Sequence, residues 1–154
     1  MPWENPYMRR ALALAREALD AGEVPVGAVI VRGGEIVAEG RNRREEERSA
    51  LGHAELEAIR RAGEALGDWR LTDCDLYVTL EPCPICAGAI LNARLRRVWF
   101  GAADKRAGAV DSVVRLFSAF DCYAPPEVFA GVGEDEAAAL LEEFFRRRRA
   151  RGGD

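Results

Sequence analysis

Lysine is nearly absent from this chain: Lys105 is the only one among 22 basic residues, so its positive charge is almost all arginine. Arginine suits phosphate recognition and base stacking, although a genomic compositional bias would produce the same count. Histidine occurs once, at His53. That excludes every scheme needing two histidines, including the HExxH metalloproteases. No apolar run approaches the roughly 18 residues of a membrane-spanning helix, so no membrane partner is expected. The stretch from Met1 to Leu14 carries Glu4, Arg9 and Arg10 where a signal peptide would have its apolar core. The expectation is a soluble, cytoplasmic protein. Cysteines number four, Cys74, Cys83, Cys86 and Cys122. Without a secretory signal they argue against a disulfide framework, and a CxxC pair then points to metal or redox chemistry. The net charge of −4 speaks against indiscriminate nucleic-acid binding and leaves room for a local basic patch.

What remains is an ordinary globular balance, 49% apolar and 31% charged over 154 residues. That length suggests one domain, read as residues 1–150 with a frayed tail at 151–154. Met8, Ala11, Leu12, Ala15 and Leu19 recur at helical spacing, and Gly22 follows, predicting a helix over about 6–21. Val24 to Val31 and Glu35 to Glu39 flank Gly33-Gly34, the pattern of a tight β-hairpin. Arg41 to Ser49 reads as a charged loop. A second helix starts near His53, turns Leu56, Ile59 and Leu66 to the core, and ends at Gly67. Asp75 to Leu80 reads as a strand, Ile85 to Ala93 as a short buried helix and Arg97 to Gly101 as another strand. Val113 to Phe120 is ambiguous between strand and helix. A last helix covers about 134–149, with Ala137, Leu140, Leu141 and Phe144 as its apolar stripe. Strands alternating with helices predict an α/β fold, a three-layer α/β/α sandwich around a mixed central sheet of about five strands.

Two segments carry the chemistry, His53-Ala54-Glu55 and Pro82-Cys83-Pro84-Ile85-Cys86, each opening a predicted helix. One imidazole and two thiolates are good zinc ligands, and a CxxC spacing lets both sulfurs reach one ion. A helix N-terminus lowers a cysteine pKa, and Pro84 at the helix start costs no hydrogen bond. Three ligands leave zinc's fourth position open, the mark of a catalytic site. Residues two apart diverge by about 200° inside a regular helix. His53 and Glu55 therefore meet one ion only if His53 sits at the irregular first turn, a bend that Gly52 eases. Glu55 then lies beside the metal as a proton shuttle. Zinc lowers the pKa of water from about 15.7 to near 7, and a general base adds about 10²–10⁴-fold.

HxE followed by PCxxC is, as a whole, the known signature of zinc nucleobase deaminases. Over almost its full length the chain resembles the bacterial tRNA-specific adenosine deaminases of the cytidine deaminase superfamily. The matching stretches include Glu23-Val24-Pro25-Val26-Gly27-Ala28-Val29, Gly40-Arg41-Asn42-Arg43, His53-Ala54-Glu55, the run Leu76 to Cys83, Cys86-Ala87-Gly88-Ala89, Phe100-Gly101-Ala102, Asp104 and Phe144-Phe145-Arg146. The resemblance implies a cytidine deaminase-like fold, a homodimer with one zinc per subunit, and hydrolytic conversion of adenosine to inosine at the wobble position of an arginine tRNA with an ACG anticodon. It implies that His53, Cys83 and Cys86 hold zinc and that Glu55 moves protons. Asn42 and the Ala54 backbone would contact the target base, Asp104 its sugar, and Phe145 and Arg148 the RNA. The anticodon loop is the expected partner, because its single-stranded bases are cheaper to splay out than those of a duplex.

The chain departs from the family at Asp121-Cys122-Tyr123-Ala124, where an Asn-His pair is usual, and at Ser49-Ala50-Leu51-Gly52, in place of Asp-Pro-Thr-Ala. Relatives of the same fold deaminate free guanine or cytosine, so a free nucleobase or nucleoside deaminase is the alternative. A zinc-stabilised binding module without catalysis is a third reading. Cys74 as a fourth ligand would close the site, and Cys83–Cys86 as a redox pair would dispense with zinc. Asn42 and Asp104 also read as plain turn residues, and Arg146 to Arg149 as a solvated helix end.

Overall fold

The computed structural model describes residues 5–152. Of the expected tail, residues 153–154 lie outside that range, and 151–152 form a turn. The first helix, α1 (Pro6–Asp20), starts where the Asn5 side chain accepts the amides of Tyr7 and Met8 at 2.9 and 3.0 Å. Pro6 occupies its first turn, where a missing N–H is harmless. Strands β1 (Gly27–Arg32) and β2 (Glu35–Arg41) form the hairpin. Gly33 and Gly34 both have positive φ, +58° and +82°, as a type I′ turn requires. The strand begins at Gly27 rather than Val24, because Pro25 lacks a ladder donor and Val26 N–H turns back to the Val24 carbonyl at 2.9 Å.

The segment expected as a charged loop is partly ordered. β2 runs on to Arg41, and a one-turn helix, α2 (Arg44–Glu47), follows. Its signal is not in its own sequence. Buried Glu23 accepts the amides of Glu45 and Glu46 at 3.1 and 2.8 Å and caps the turn from across the chain. Next come α3 (Ala54–Leu66), closed by Gly67 in the left-handed region, then β3 (Cys74–Leu80), α4 (Pro84–Ala93) and β4 (Arg97–Ala102). Val113 to Phe120 is neither strand nor α-helix; it holds a single 3₁₀ turn at Leu116–Ser118. The fifth strand is β5 (Glu127–Phe129), three residues that propensity does not single out. Phe129 stacks on its register partner Trp99 with centroids 4.0 Å apart, and Trp99 stacks on Tyr77 at 5.4 Å. The last helix, α5, spans Glu134–Ala150.

The sheet order is β2-β1-β3-β4-β5, antiparallel on the β1 side and parallel from β3 through β5. Alternating residues face opposite ways. Ala28, Ile30, Leu76, Val78 and Val98 pack with α3 and α4, whereas Val29, Val31 and Tyr77 pack with α1 and α5. The fold is thus the expected three-layer α/β/α sandwich with a mixed sheet of five strands. One detail of α3 differs from expectation. Ala54, Ala58 and Ala62 are its buried apolar residues, while Leu56 is only half-buried. The cause is the closeness of β2: a Cβ on Gly40 would stand 2.3 Å from the Ala54 carbonyl oxygen. Only small side chains fit between such near backbones.

Candidate active site

Both parallel strands β3 and β4 end on one edge of the sheet, and β3 leads directly into Glu81-Pro82-Cys83. Cys83 is the N-cap of α4 and Cys86 lies in its first turn. His53 is the N-cap of α3, extended at φ −94° and ψ 144°, so its ring leaves the helix before regular geometry begins. Gly52 behind it is pressed against Arg43 and Arg44, where a Cβ would meet backbone atoms at 2.9–3.0 Å. Two helix starts therefore face each other. His53 Nδ1 lies 3.7 Å from Cys83 Sγ and 3.5 Å from Cys86 Sγ. The three ligand atoms fall within 4.8 Å of one another.

These distances fit a metal ion. With Zn–N near 2.0–2.1 Å and Zn–S near 2.3 Å, a tetrahedral site places nitrogen and sulfur about 3.5 Å apart. Cys74 is not in this cluster; it is buried at the start of β3, where burial pushes its thiol up to about 11. Cys122 is exposed and free. The Cys86 thiol donates to Cys83, which with the His53 contact and the Cys86 amide brings Cys83 down to about 3. The same hydrogen bond, together with burial, drives Cys86 far up. The Cys83 thiolate also raises the pKa of His53.

Glu55 follows in the first turn of α3, is 4% exposed, and lies beside the Cys86 thiol, whose pKa it helps to raise. Burial pushes its pKa up to about 7, with the neighbouring Cys83 thiolate adding to the effect. A carboxyl poised near neutrality can both take and return a proton at working pH. Ala54, fully buried, is the first residue of α3, where backbone N–H groups have no intrahelical partner.

The other sequence candidates occupy three separate settings. Asn42 is buried, its Nδ2 donating to the Val24 carbonyl at 3.2 Å and its Oδ1 accepting from Arg44 N–H at 3.1 Å. It borders a cavity of about 550 Å³ together with Glu23, Arg44, Phe144, Arg147 and Arg148. The triad does not line that cavity. Arg148 is brought to Asn42 in this way. Phe145 is not: it is exposed beside Glu142, Arg146 and Arg149, and Phe144 takes the cavity wall. Asp104 sits half-buried in the loop after β4, its carboxylate accepting the Arg106 and Ala107 amides at 3.0 and 3.2 Å.

The two most deeply buried carboxylates escaped the sequence reading, Glu23 and Glu81, each 2% exposed. Both lie in matched family stretches, but nothing in their local sequence says that each serves a distant loop. Burial alone would raise Glu81; hydrogen bonds from Ser112, Asp111 and Asp104 instead hold it below the usual carboxylate range.

A model of the MafB19-like deaminase family matches residues 3–149. The chain therefore belongs to this deaminase family, with the cytidine deaminase-like fold that its architecture defines, in the branch of the tRNA-specific adenosine deaminases. It is 49% identical over 143 residues to the tRNA-specific adenosine deaminase of Agrobacterium fabrum, covering 93% of this chain and 94% of that one. With the Bacillus subtilis protein of the same name it shares 44% over 149 residues, covering 97% and 92%. A solved structure from work on A-to-I editing by tRNA:A34 deaminases superposes with a TM-score of 0.85 at 49% identity, covering 88% of this chain and 98% of that one. The guanine deaminase of Nitrosomonas europaea gives 0.79 at 25% identity, covering 90% and 82%.

Proposed function

We propose that this chain is a zinc-dependent hydrolase that converts adenosine to inosine at the wobble position of tRNA, with an arginine tRNA carrying the ACG anticodon as its substrate. It works in the cytoplasm as a homodimer with one zinc per subunit. The observation that carries the chemistry is the His53–Cys83–Cys86 cluster with a buried carboxyl, poised near pH 7, against it. The likeness to tRNA-specific adenosine deaminases at 49% identity supports the substrate.

His53, Cys83 and Cys86 would hold the ion, which supplies a water activated for attack at neutral pH. Glu55 would accept one proton from the attacking water and pass it to the ring nitrogen as the oxygen bonds to C6, then carry the second proton from the new hydroxyl to the departing amino group. Ammonia leaves and a carbonyl remains. Burial of Glu55 matches its pKa to both directions of transfer. Asn42 and the α3 amide at Ala54 orient the base edge, Asp104 faces the sugar, and Arg148 with Phe145 meets the RNA. The base must leave its stack to reach the buried centre, which a single-stranded loop permits at low cost.

The test is inosine formation in an arginine tRNA transcript, read by nucleoside mass spectrometry after incubation with the zinc-loaded protein. Inosine at the wobble position supports the reading. No inosine from a folded, metal-bearing protein sinks it, and ammonia release from guanine or cytosine would then establish the free-base alternative.

A further inference from the structure

The Glu81 carboxylate is the hub of a loop that no regular element organises. Its Oε1 accepts Asp104 N–H at 3.0 Å and the Ser112 hydroxyl. Its Oε2 accepts the amides of Val110, Asp111 and Ser112 at 3.2, 2.8 and 2.9 Å. Four backbone amides and a hydroxyl converge on one carboxyl group, which is sealed from solvent. The backbone on either side joins in. Glu81 N–H donates to the Ala102 carbonyl and Ala109 N–H to the Pro82 carbonyl, both at 2.8 Å. Gly108 passes so close that a Cβ there would stand 2.4 Å from the carboxylate. The segment 104–112 is thereby fastened to the corner that leads, two residues on, into Cys83. Glu81 itself is not in the metal-binding cluster.

We infer that Glu81 is a positioning residue that sets where Asp104 stands relative to the catalytic centre, so that it governs substrate engagement rather than metal binding or proton transfer. This rests on the reading of the chain as an RNA deaminase with Asp104 at the target sugar. The chemistry is that of an acceptor-only group. An ionised carboxylate offers about four lone-pair sites and no donor, which matches a ring of N–H groups. A glutamine of the same shape would turn an NH₂ towards some of those amides, and the loop would have to move away. A Cβ at residue 108 would meet the carboxylate at 2.4 Å and the Asp104 carbonyl oxygen at 2.5 Å, displacing the same loop without touching the charge.

The experiment compares wild type, Glu81→Gln and Gly108→Ala, all zinc-loaded, on an anticodon stem-loop transcript. KM and kcat are measured separately, together with zinc content and amide hydrogen exchange at residues 104 and 110–112. The expected result is a KM raised about tenfold or more in both variants, with a smaller fall in kcat, zinc kept at the wild-type ratio, and faster exchange confined to the loop. A loss of kcat with unchanged KM, a loss of zinc, or wild-type kinetics in a variant whose loop exchanges faster would each overturn the assignment. Failure of both variants to fold would also overturn it, making Glu81 a support of the whole fold. If wild type itself leaves the transcript unmodified, the RNA reading has failed and this inference falls with it.

Discussion

Nδ1 of His53 and Sγ of Cys86 stand 3.5 Å apart although they lie 33 positions apart in the chain. Neither owes its place to the other. His53 is set by the start of α3, which packs on β1 and β2, and Cys86 by the first turn of α4 after β3. The fold thus brings the donor set together from two separate helix starts, and testable consequences for metal loading, proton transfer, stability and RNA binding follow.

A site with these three donors should bind zinc at one ion per chain, and Cys86→Ser or His53→Ala should abolish it. Binding to the folded state alone adds about 2.7 kcal/mol at a free ion concentration 100 times Kd. In a chain of this size that is about 5–11 °C in Tm. Metal analysis and thermal melts before and after chelation check this. A melting temperature indifferent to chelator would refute a zinc site.

Glu55→Gln keeps the shape of the side chain and removes its proton transfer. Zinc content should persist while deamination falls by at least about 100-fold. In metal-free protein the pH dependence has a definite sign. The folded carboxyl, raised to about 7 from 4.5, keeps a proton that the unfolded chain has released. Stability contributed by Glu55 is therefore greatest at low pH, declines between those two values and levels off above, with a slope approaching about 1.4 kcal/mol per pH unit within that interval. Melts between about pH 5 and about pH 8 should show metal-free wild type losing ground to Glu55→Gln. A constant gap between the two would show that burial does not raise the pKa of this group.

Gly40→Ala should be costly because the new Cβ would meet Ala54 O at 2.3 Å and Ala58 N at 2.9 Å. Overpacking of this kind costs about 1–3 kcal/mol, or about 2–12 °C here. Because α3 carries Glu55, turnover should fall as well. Gly63→Ala, on the same helix with nothing nearer than 3.6 Å, serves as the comparison and should be neutral or stabilising. Equal melting temperatures for the two variants would contradict the close β2–α3 contact.

Arg148 borders the cavity beside Asn42. If it meets phosphate, Arg148→Glu should weaken tRNA binding and flatten its dependence on salt. Each lost contact to a single strand reduces the log–log slope by about 0.7. Binding titrations at several salt concentrations would show this, and an unchanged slope would remove Arg148 from the interface.

The fold was largely readable because its strongest elements announce themselves locally. The Gly33-Gly34 turn, the apolar spacing of α1 and the glycine after Leu66 are short-range signals, and the sheet and helix periods are clear. The donor set was readable because His53 is the sole histidine and CxxC is compact. What could not be read depends on contacts made at a distance. The α2 turn exists through Glu23, about twenty residues away, and β5 through a ring stack on Trp99. Glu81 looks like one more residue in a strand-end run until residues 104–112 are folded over it. Asn42 illustrates a mixed case: its turn-forming bonds to Val24 and Arg44 fix the side chain that the family resemblance assigns to the base.

The His53–Cys83–Cys86 cluster and Glu55 sit on first turns braced by the sheet, whereas Asn42, Asp104 and Arg148 sit on connecting segments and the terminal helix. Under the proposed function this is a division of labour between reaction and recognition, with an evolutionary consequence. Loops tolerate substitution and insertion far better than packed elements, so a lineage can change what it recognises by reworking the rim while inheriting the reaction centre intact. The departures at Ser49–Gly52 and Asp121–Ala124 likewise lie in connecting segments, outside every helix and strand. In such a lineage Glu81 is the fastening that any reworked rim must still accommodate.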